Sequence, residues 1–176
     1  FVGTGGTSPI VVTGLTNGVS YTFTVTATNS VGTSSPSTAS NSVIPATVPD
    51  APTSVSGTSN SNTQSVVSWT APASNGGSVI TDYSVSIFAS DGVSAASGVT
   101  GLTTRSVGSA TTNLTFTGLT NGTNYTFRVS AINDVGTGSA STASSVVTPA
   151  TTPGAPTIGT ATRGNGEATI TFSAPG

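Results

Sequence analysis

Large apolar and polar residues alternate along several short stretches of the chain. The alternation is clearest in Tyr21–Ala27, Tyr83–Ile87 and Tyr125–Ala131. A period of two residues is typical of a β-strand with one buried face. The polar positions are mostly threonine or serine, and threonine is β-branched, so it keeps its strand propensity on a solvent-facing surface. The pattern therefore predicts strands and argues against a disordered, low-complexity chain.

Glycine, Asn-Gly and proline interrupt these stretches about every 8–12 residues, a spacing that is typical of a β-sandwich. No window has a convincing helical period, and no apolar run approaches the roughly 18 residues that a membrane span requires. The sequence therefore predicts an all-β fold with no membrane span. In the middle of the chain it predicts strands near residues 53–58, 64–70, 79–88, 100–107, 112–117, 123–132 and 140–148.

The sequence repeats itself with a period near 104 residues. Gly14–Phe23 recurs as Gly118–Phe127, 104 positions later. Val67–Pro72 recurs as Ile170–Pro175, 103 positions later, so the last repeat has one residue fewer in the turn before this motif. A period of this length suits a complete sandwich domain better than a small solenoid unit.

Matching proline-spaced linkers at residues 45–52 and 149–156 set the expected boundaries. We expect the C-terminal part of one repeat at 1–46, a complete repeat at 50–150 and the N-terminal part of the next at 153–176. Either the chain is a window on a longer tandem array, which we favour, or neighbouring chains complete the two partial repeats.

Each partial repeat has its own expected strands and buried face. Three strands are expected in the first, and the face that needs burial carries Ile10, Val12, Leu15, Tyr21, Phe23 and Val25. Two are expected in the last, with Ile158, Ile170 and Phe172 on the corresponding face. An isolated piece of sheet cannot bury either face.

The composition removes most catalytic and metal chemistry. Charged residues make up 5% of the chain, and it has no Lys, His, Cys or Met. Without them there is no thiolate or imidazole, no disulfide, no zinc site of the usual ligands and no Schiff base. Three scattered arginines and a net charge of −2 lack the basic surface that nucleic acids require. We therefore expect no enzyme, no cofactor, no metal and no nucleic-acid partner.

The remaining candidate sites have simpler interpretations. The acids are scattered, and one carboxylate makes a poor calcium site. The only pairing that could hold calcium is Asp50 with the Asn133–Asp134 loop. The Asn-Gly pairs at 17, 75, 121 and 165 are interpreted as turns, because both residue types accept a positive φ. Arg105 and Arg128 are expected to be solvated on the surface.

Several motifs occur in one order within residues 50–150. Val66–Trp69 is followed by Ala71-Pro72, Leu119 precedes Tyr125 by six residues, and Asn133–Gly136 comes next. Together with Asn75–Ile80, which leads into Tyr83, this set resembles the fibronectin type III repeats of large secreted bacterial proteins. The resemblance covers the complete repeat and both partial ones, and it implies an immunoglobulin-like, seven-stranded sandwich in tandem repeats.

The resemblance also implies which residues hold the core. Trp69 is expected as the core anchor, with Phe172 as its counterpart in the last repeat. Leu119 and Tyr125 should form a tyrosine corner, in which the phenol hydroxyl bonds back to the turn, and Leu15 and Tyr21 should form another. The Arg-Gly-Asp motif that some family members carry in the loop at 133–138 is absent.

The expected function is a structural spacer in a secreted or cell-surface tandem-repeat protein, which builds a filament or surface layer. Its partners would be neighbouring repeats of the same or identical chains, and a protein or glycan ligand stays unidentified. The alternative is an adhesin or a carbohydrate-binding accessory module, which needs an exposed aromatic side chain. Phe88 is the one plausible candidate for that role.

Overall fold

The computed structural model describes residues 2–175, and the regular elements among them are all strands. The prediction of an all-β fold is confirmed. The strands are β1 (Thr53–Gly57), β2 (Gln64–Thr70), β3 (Ile80–Ala89), β4 (Thr104–Ser106), β5 (Asn113–Thr117), β6 (Tyr125–Asn133), β7 (Gly136–Thr137), β8 (Thr157–Arg163) and β9 (Ala168–Ser173).

Two antiparallel sheets make up the sandwich of residues 50–149. One has the order β1-β2-β5 and the other the order β4-β3-β6-β7. Buried and exposed residues alternate strictly along β2, which is the alternation expected when one face of a sheet packs on the other. A separate two-stranded sheet joins β8 to β9.

Aromatic pairs connect the two sheets across the core. The rings of Trp69 and Tyr83 meet edge-on, with centroids 5.2 Å apart, and those of Phe116 and Phe127 lie 5.5 Å apart. Trp69 is 6% exposed, and Phe116 and Phe127 are fully buried. Burial of each such side chain stabilises the sandwich by about 1.5–3 kcal/mol. Burial also raises the pKa of the Tyr83 hydroxyl, while the neighbouring Trp69 indole acts in the opposite direction.

A tyrosine corner fixes the turn before β6. The buried Tyr125 hydroxyl accepts a hydrogen bond from the backbone N–H of Thr120 at 3.1 Å and points at the carbonyls of Ser97 and Gly98, each 3.1 Å away. Leu119 beside it is 3% exposed. The corner therefore ties the start of β6 to the connection between the two sheets.

The stretch expected as the seventh strand, 140–148, runs beside β6 but is not a regular strand. Its N–H groups donate to β6 carbonyls at every third residue and not at every second, from Gly138, Ser141, Ser144 and Val147 to Ala131, Val129, Phe127 and Tyr125. Only the last of these pairs forms a β-bridge. We call residues 138–147 the serine stretch.

Serine hydroxyls complete this pairing. The N–H groups of Val129 and Phe127 donate to the Oγ atoms of Ser141 and Ser144, at 3.0 and 3.1 Å. Each Oγ then donates to the carbonyl of the residue that follows it. In a regular sheet a backbone carbonyl of the neighbouring strand would accept from these N–H groups. Here the serine hydroxyl accepts in its place.

The N-terminal segment, residues 2–46, has the same pairing at positions 104 residues earlier. Ser34, Ser37, Ser40 and Val43 bond to Ala27, Val25, Phe23 and Tyr21, and Tyr21 accepts a hydrogen bond from the N–H of Thr16 at 3.0 Å. The three expected strands are absent there, since residues 2–46 contain only isolated bridges.

Neither flanking segment buries its apolar side chains fully, and Ile10 and Val25 of the first segment are exposed. Leu15, Tyr21 and Phe23 are half-buried, while Val25 is 63% exposed. In the β8–β9 hairpin, Phe172 is 70% exposed, and Ile158 and Ile170 are exposed as well. The reason is geometric: within residues 2–175, neither segment has a second sheet against its apolar face.

Two polar side chains secure the β4 edge of the sandwich. Arg105, expected to be solvated, is half-buried, and its guanidinium lies 4.4 Å from the centroid of the Phe116 ring. It also donates to the carbonyl and hydroxyl of Thr117, at 2.8 and 2.9 Å, which links β4 to β5 in the opposite sheet. Asp82 accepts from the N–H groups of Tyr83 and Gly108, at 2.7 and 2.8 Å, and from the Ser106 hydroxyl.

Ser144→Ala tests the role of the serine hydroxyls. The substitution leaves the buried N–H of Phe127 without an acceptor, so the free energy of unfolding should fall by about 1–3 kcal/mol. Urea unfolding followed by the fluorescence of Trp69, the single tryptophan, measures it. Ser145→Ala removes the same group from an exposed position and should change stability by less than about 0.5 kcal/mol. Equal effects of the two variants would contradict the proposed role.

Asp82→Asn tests the carboxylate at the β4 edge. Partial burial acts to raise the pKa of Asp82, but the hydrogen bonds from Ser106, Tyr83 and Gly108 outweigh it and hold the pKa below the usual 3.8. The carboxylate therefore makes its full contribution to stability at pH values above 3.8, the usual pKa of Asp. This contribution is lost as the pH falls through the lower pKa that Asp82 has in the folded state. The wild-type advantage over Asp82→Asn, measured by urea unfolding, should be present at pH 7 and shrink below about pH 4.

Asp134→Asn removes the same charge from an exposed position and is the matched control. A wild-type advantage over Asp82→Asn that is the same at pH 7 and pH 2.5 would contradict the assignment.

Candidate functional site

The linker between the N-terminal segment and the sandwich is bound on both sides. On one side, the N–H of Gly18 donates to the carbonyl of Pro45 at 2.9 Å. On the other, the N–H of Thr47 donates to the carbonyl of Gly76 at 2.9 Å, and that of Asp50 to Ser74 at 3.0 Å. We call this contact region, residues 17–18, 45–50 and 74–77 with Asn133, the junction.

The side chain of Asn133 lies at the centre of the junction. Its Nδ2 donates to the carbonyls of Thr47 and Asn75, at 2.8 and 2.9 Å. Its Oδ1 accepts from the N–H groups of Val135 and Gly136, at 2.9 and 3.1 Å. Asn133 is 4% exposed, and both amide hydrogens and the carbonyl oxygen are satisfied. One buried carboxamide therefore joins the linker, the 74–77 loop and the turn after β6.

Glycines allow the two units to approach at backbone distance. A Cβ on Gly77 would lie 2.3 Å from the backbone nitrogen of Gly18, and one on Gly76 would lie 2.2 Å from the carbonyl oxygen of Thr47. Both glycines also have a positive φ, at 85° and 71°, which other residues adopt only with strain. No other residue type fits these two positions in this arrangement.

Only part of this site could be predicted from the sequence. The Asn-Gly pairs were interpreted as turns, and Gly18, Gly76, Gly122 and Gly166 all have a positive φ. The contact of the 17–18 turn with the 75–77 loop was missed, and so was the role of Asn133. Gly77, which directly follows Asn75-Gly76, was the one sequence signal for this contact, because an Asn-Gly turn does not require a second glycine.

The acidic residues do not converge on a common site. Within residues 2–175, no three Asp or Glu side chains lie together. The exposed Asp91 accepts from the N–H groups of Val93 and Ser94, at 2.9 and 2.8 Å, and from the Ser94 hydroxyl, and this last bond is the largest cause of its lowered pKa. Asp50 and Asp134 are exposed. Asp91 thus organises its own loop, whereas Asp82 joins β3 to the end of β4.

An arginine lies over one face of the Phe88 ring. Phe88 is half-buried, and the guanidinium of Arg128 lies 5.7 Å from its ring centroid. Arg128, expected to be solvated, is itself held by a hydrogen bond of 3.0 Å from its Nε to the carbonyl of Gly92. A flat ligand would have to displace this arginine to stack on that face of the ring.

Comparison with known proteins agrees with the sandwich. The model of the fibronectin type III domain family matches residues 50–147. A search of curated protein sequences gave no significant match. Across residues 2–175, no helix is present that could cross a membrane.

Solved structures with a similar fold include multidomain fragments. Domains A168–A170 of titin share 33% identity with this chain, with a TM-score of 0.50, and the alignment covers 62% of this chain and 36% of the titin fragment. Titin kinase and its flanking domains share 33% identity over 59% of this chain and 18% of that one, with a TM-score of 0.48. The chicken CNTN1 FN1–FN3 domains share 22% identity over 78% and 45% of the two chains, with a TM-score of 0.48.

The family match covers more than half of the chain, and the same residues form the two-sheet sandwich with its tyrosine corner. The chain belongs to the fibronectin type III family.

Proposed function

We propose that this chain is a structural spacer within a tandem series of fibronectin type III repeats in a secreted or cell-surface protein. Such a series would build an extracellular filament or surface layer, with neighbouring repeats as its partners. The observation that carries the proposal is the junction, where a buried carboxamide and two glycines hold one unit against the next. A spacer needs a fixed orientation between successive units, and these contacts supply one.

The residue inventory and the family support this proposal. The chain has no Cys, His or Lys, which are the residues that most often act as nucleophiles, bases and soft metal ligands. Fibronectin type III domains are typically non-catalytic modules and are common in extracellular or surface proteins. A surface with few charges also reduces repulsion between neighbouring copies. These features favour a structural role over an enzyme.

The alternative, an adhesin or carbohydrate-binding accessory module, has less support from the described residues. Stacking on a sugar requires an open aromatic face, and Arg128 lies over the ring of Phe88. Binding of a soluble glycan that is lost in Phe88→Ala would favour this alternative over the spacer.

Asn133→Asp tests whether the junction holds the units in a fixed orientation. The substitution keeps an oxygen that can accept from Val135 and Gly136 but removes both donors to the carbonyls of Thr47 and Asn75. Spin labels on Thr38→Cys and Thr142→Cys, two exposed positions, report the distance across the junction, and the chain has no other cysteine. We expect a narrow distance distribution in the parent chain and a broad one in Asn133→Asp.

Asn29→Asp is the matched control. Asn29 occupies the equivalent position 104 residues earlier, and its Oδ1 accepts from the N–H groups of Val31 and Gly32 at 2.9 and 3.1 Å, but it makes no bond across the junction. It should leave the distance distribution unchanged. A broad distribution in the parent chain itself would overturn the spacer proposal.

A further inference from the structure

We infer that the turn at Asn121–Gly122 is a docking surface for the Asn75–Gly77 loop of another copy of this repeat. The inference rests on the proposed function, since it assigns the contact by which one repeat would hold the next. It adds a defined surface and a defined partner, which is the same loop that already packs against the 17–18 turn.

The two turns have the same internal bonds. In each, the glycine N–H donates to a linker proline carbonyl, from Gly18 to Pro45 at 2.9 Å and from Gly122 to Pro149 at 2.8 Å. In each, a tyrosine hydroxyl accepts the threonine N–H that precedes the turn. The glycine φ angles are 80° and 77°. The backbone presented at the surface is therefore the same in both.

The two turns differ in what covers them. A Cβ on Gly18 would lie 3.2 Å from the Cα of Gly77, whereas a Cβ on Gly122 would meet nothing within 4 Å. One copy of the surface is thus occupied by a 75–77 loop and the other is open among the described residues.

The open turn is already rigid. The Nδ2 of Asn121 donates to Oδ1 of Asn62 at 2.8 Å, and its Oδ1 accepts the N–H of Thr63 at 2.9 Å. Pro149 behind it is fully buried. Docking would therefore require little reorganisation of this side, which lowers its entropic cost.

The partner must carry three features at once. Thr151 is the counterpart of Thr47 in the second linker. The partner needs a glycine pair that can approach the Gly122 backbone, a carbonyl that accepts from the N–H of Thr151, and a carboxamide that donates to the carbonyl of Thr151. The repeat itself has all three, in Gly76–Gly77 and Asn133. The Oδ1 of Asn29 makes the same two bonds as that of Asn133, so the turn that carries this carboxamide is repeated 104 residues earlier.

A lengthened chain tests this inference. Residues 1–153 are followed by a second copy of residues 50–176, which keeps the 104-residue period and places a complete repeat after the second linker. Spin labels on Thr142→Cys in both copies measure the distance across the new junction, and labels on Thr38→Cys and Thr142→Cys of the first copy measure it across the original one. We expect the same narrow distribution, centred at the same distance, for both.

Gly77→Ala in either copy supplies the matched variants. The added Cβ strains the 75–77 loop equally in the two copies. In the first copy it would lie 2.3 Å from the backbone nitrogen of Gly18, across the original junction. In the second copy it would clash in the same way with Gly122, across the new junction. In the second copy it should broaden the Thr142–Thr142 distribution and leave the Thr38–Thr142 distribution unchanged, and in the first copy the reverse.

A new junction that is broad beside a narrow original one would overturn the docking inference and leave the spacer proposal standing. Broad distributions at both junctions would overturn both. A narrow new junction that is indifferent to Gly77→Ala in the second copy would show docking by another surface, and it would also overturn the inference. Trp69 fluorescence confirms that each variant is folded before its distances are interpreted.

Discussion

Strand β6 must satisfy its backbone hydrogen bonds on both edges, and the rest of the structure is arranged around that requirement. One edge pairs with β3 in antiparallel register, with one irregularity between Ile80 and Asp82. The other edge meets β7 and the serine stretch, where two hydroxyls replace backbone carbonyls. Tyr125 at its first residue fixes the tyrosine corner, and Asn133 at its last holds the linker. A single strand thus spans the sandwich from the turn at one pole to the junction at the other.

Elements with a period of two could be predicted from the sequence. The alternation in β2, β3 and β6 identified strands within two residues of their observed ends, because there each side chain faces either the other sheet or solvent. The serine stretch was predicted as an ordinary strand, although Ser141 and Ser144 are three residues apart, and Ser34, Ser37 and Ser40 show the same period in the N-terminal segment. A period of two does not apply there, because serine hydroxyls take the place of backbone carbonyls in the pairing with β6.

The junction could not be predicted in the same way, for physical reasons. The requirement for glycine at position 77 arises from the backbone of Gly18, 59 positions away in sequence. The role of the Asn133 side chain arises from the carbonyls of Thr47 and Asn75, which lie in two other loops. No local pattern encodes such contacts. Val25 and Phe172 lie on the apolar faces that the alternation predicts, yet both are exposed. The alternation identifies the apolar face of a strand, whereas burial of that face requires a second sheet from another part of the fold.

The contacts at the junction are made by uncharged groups: carboxamides, backbone amides and carbonyls, and glycine Cα atoms. The one carboxylate within the junction, that of Asp50, is exposed. Dissolved ions screen charged pairs over a Debye length of about 8 Å at physiological ionic strength, but they have no ion pair to weaken here. A series of units joined in this way would keep its geometry in fresh water, in seawater or in brine, so its shape would be independent of the salinity around it.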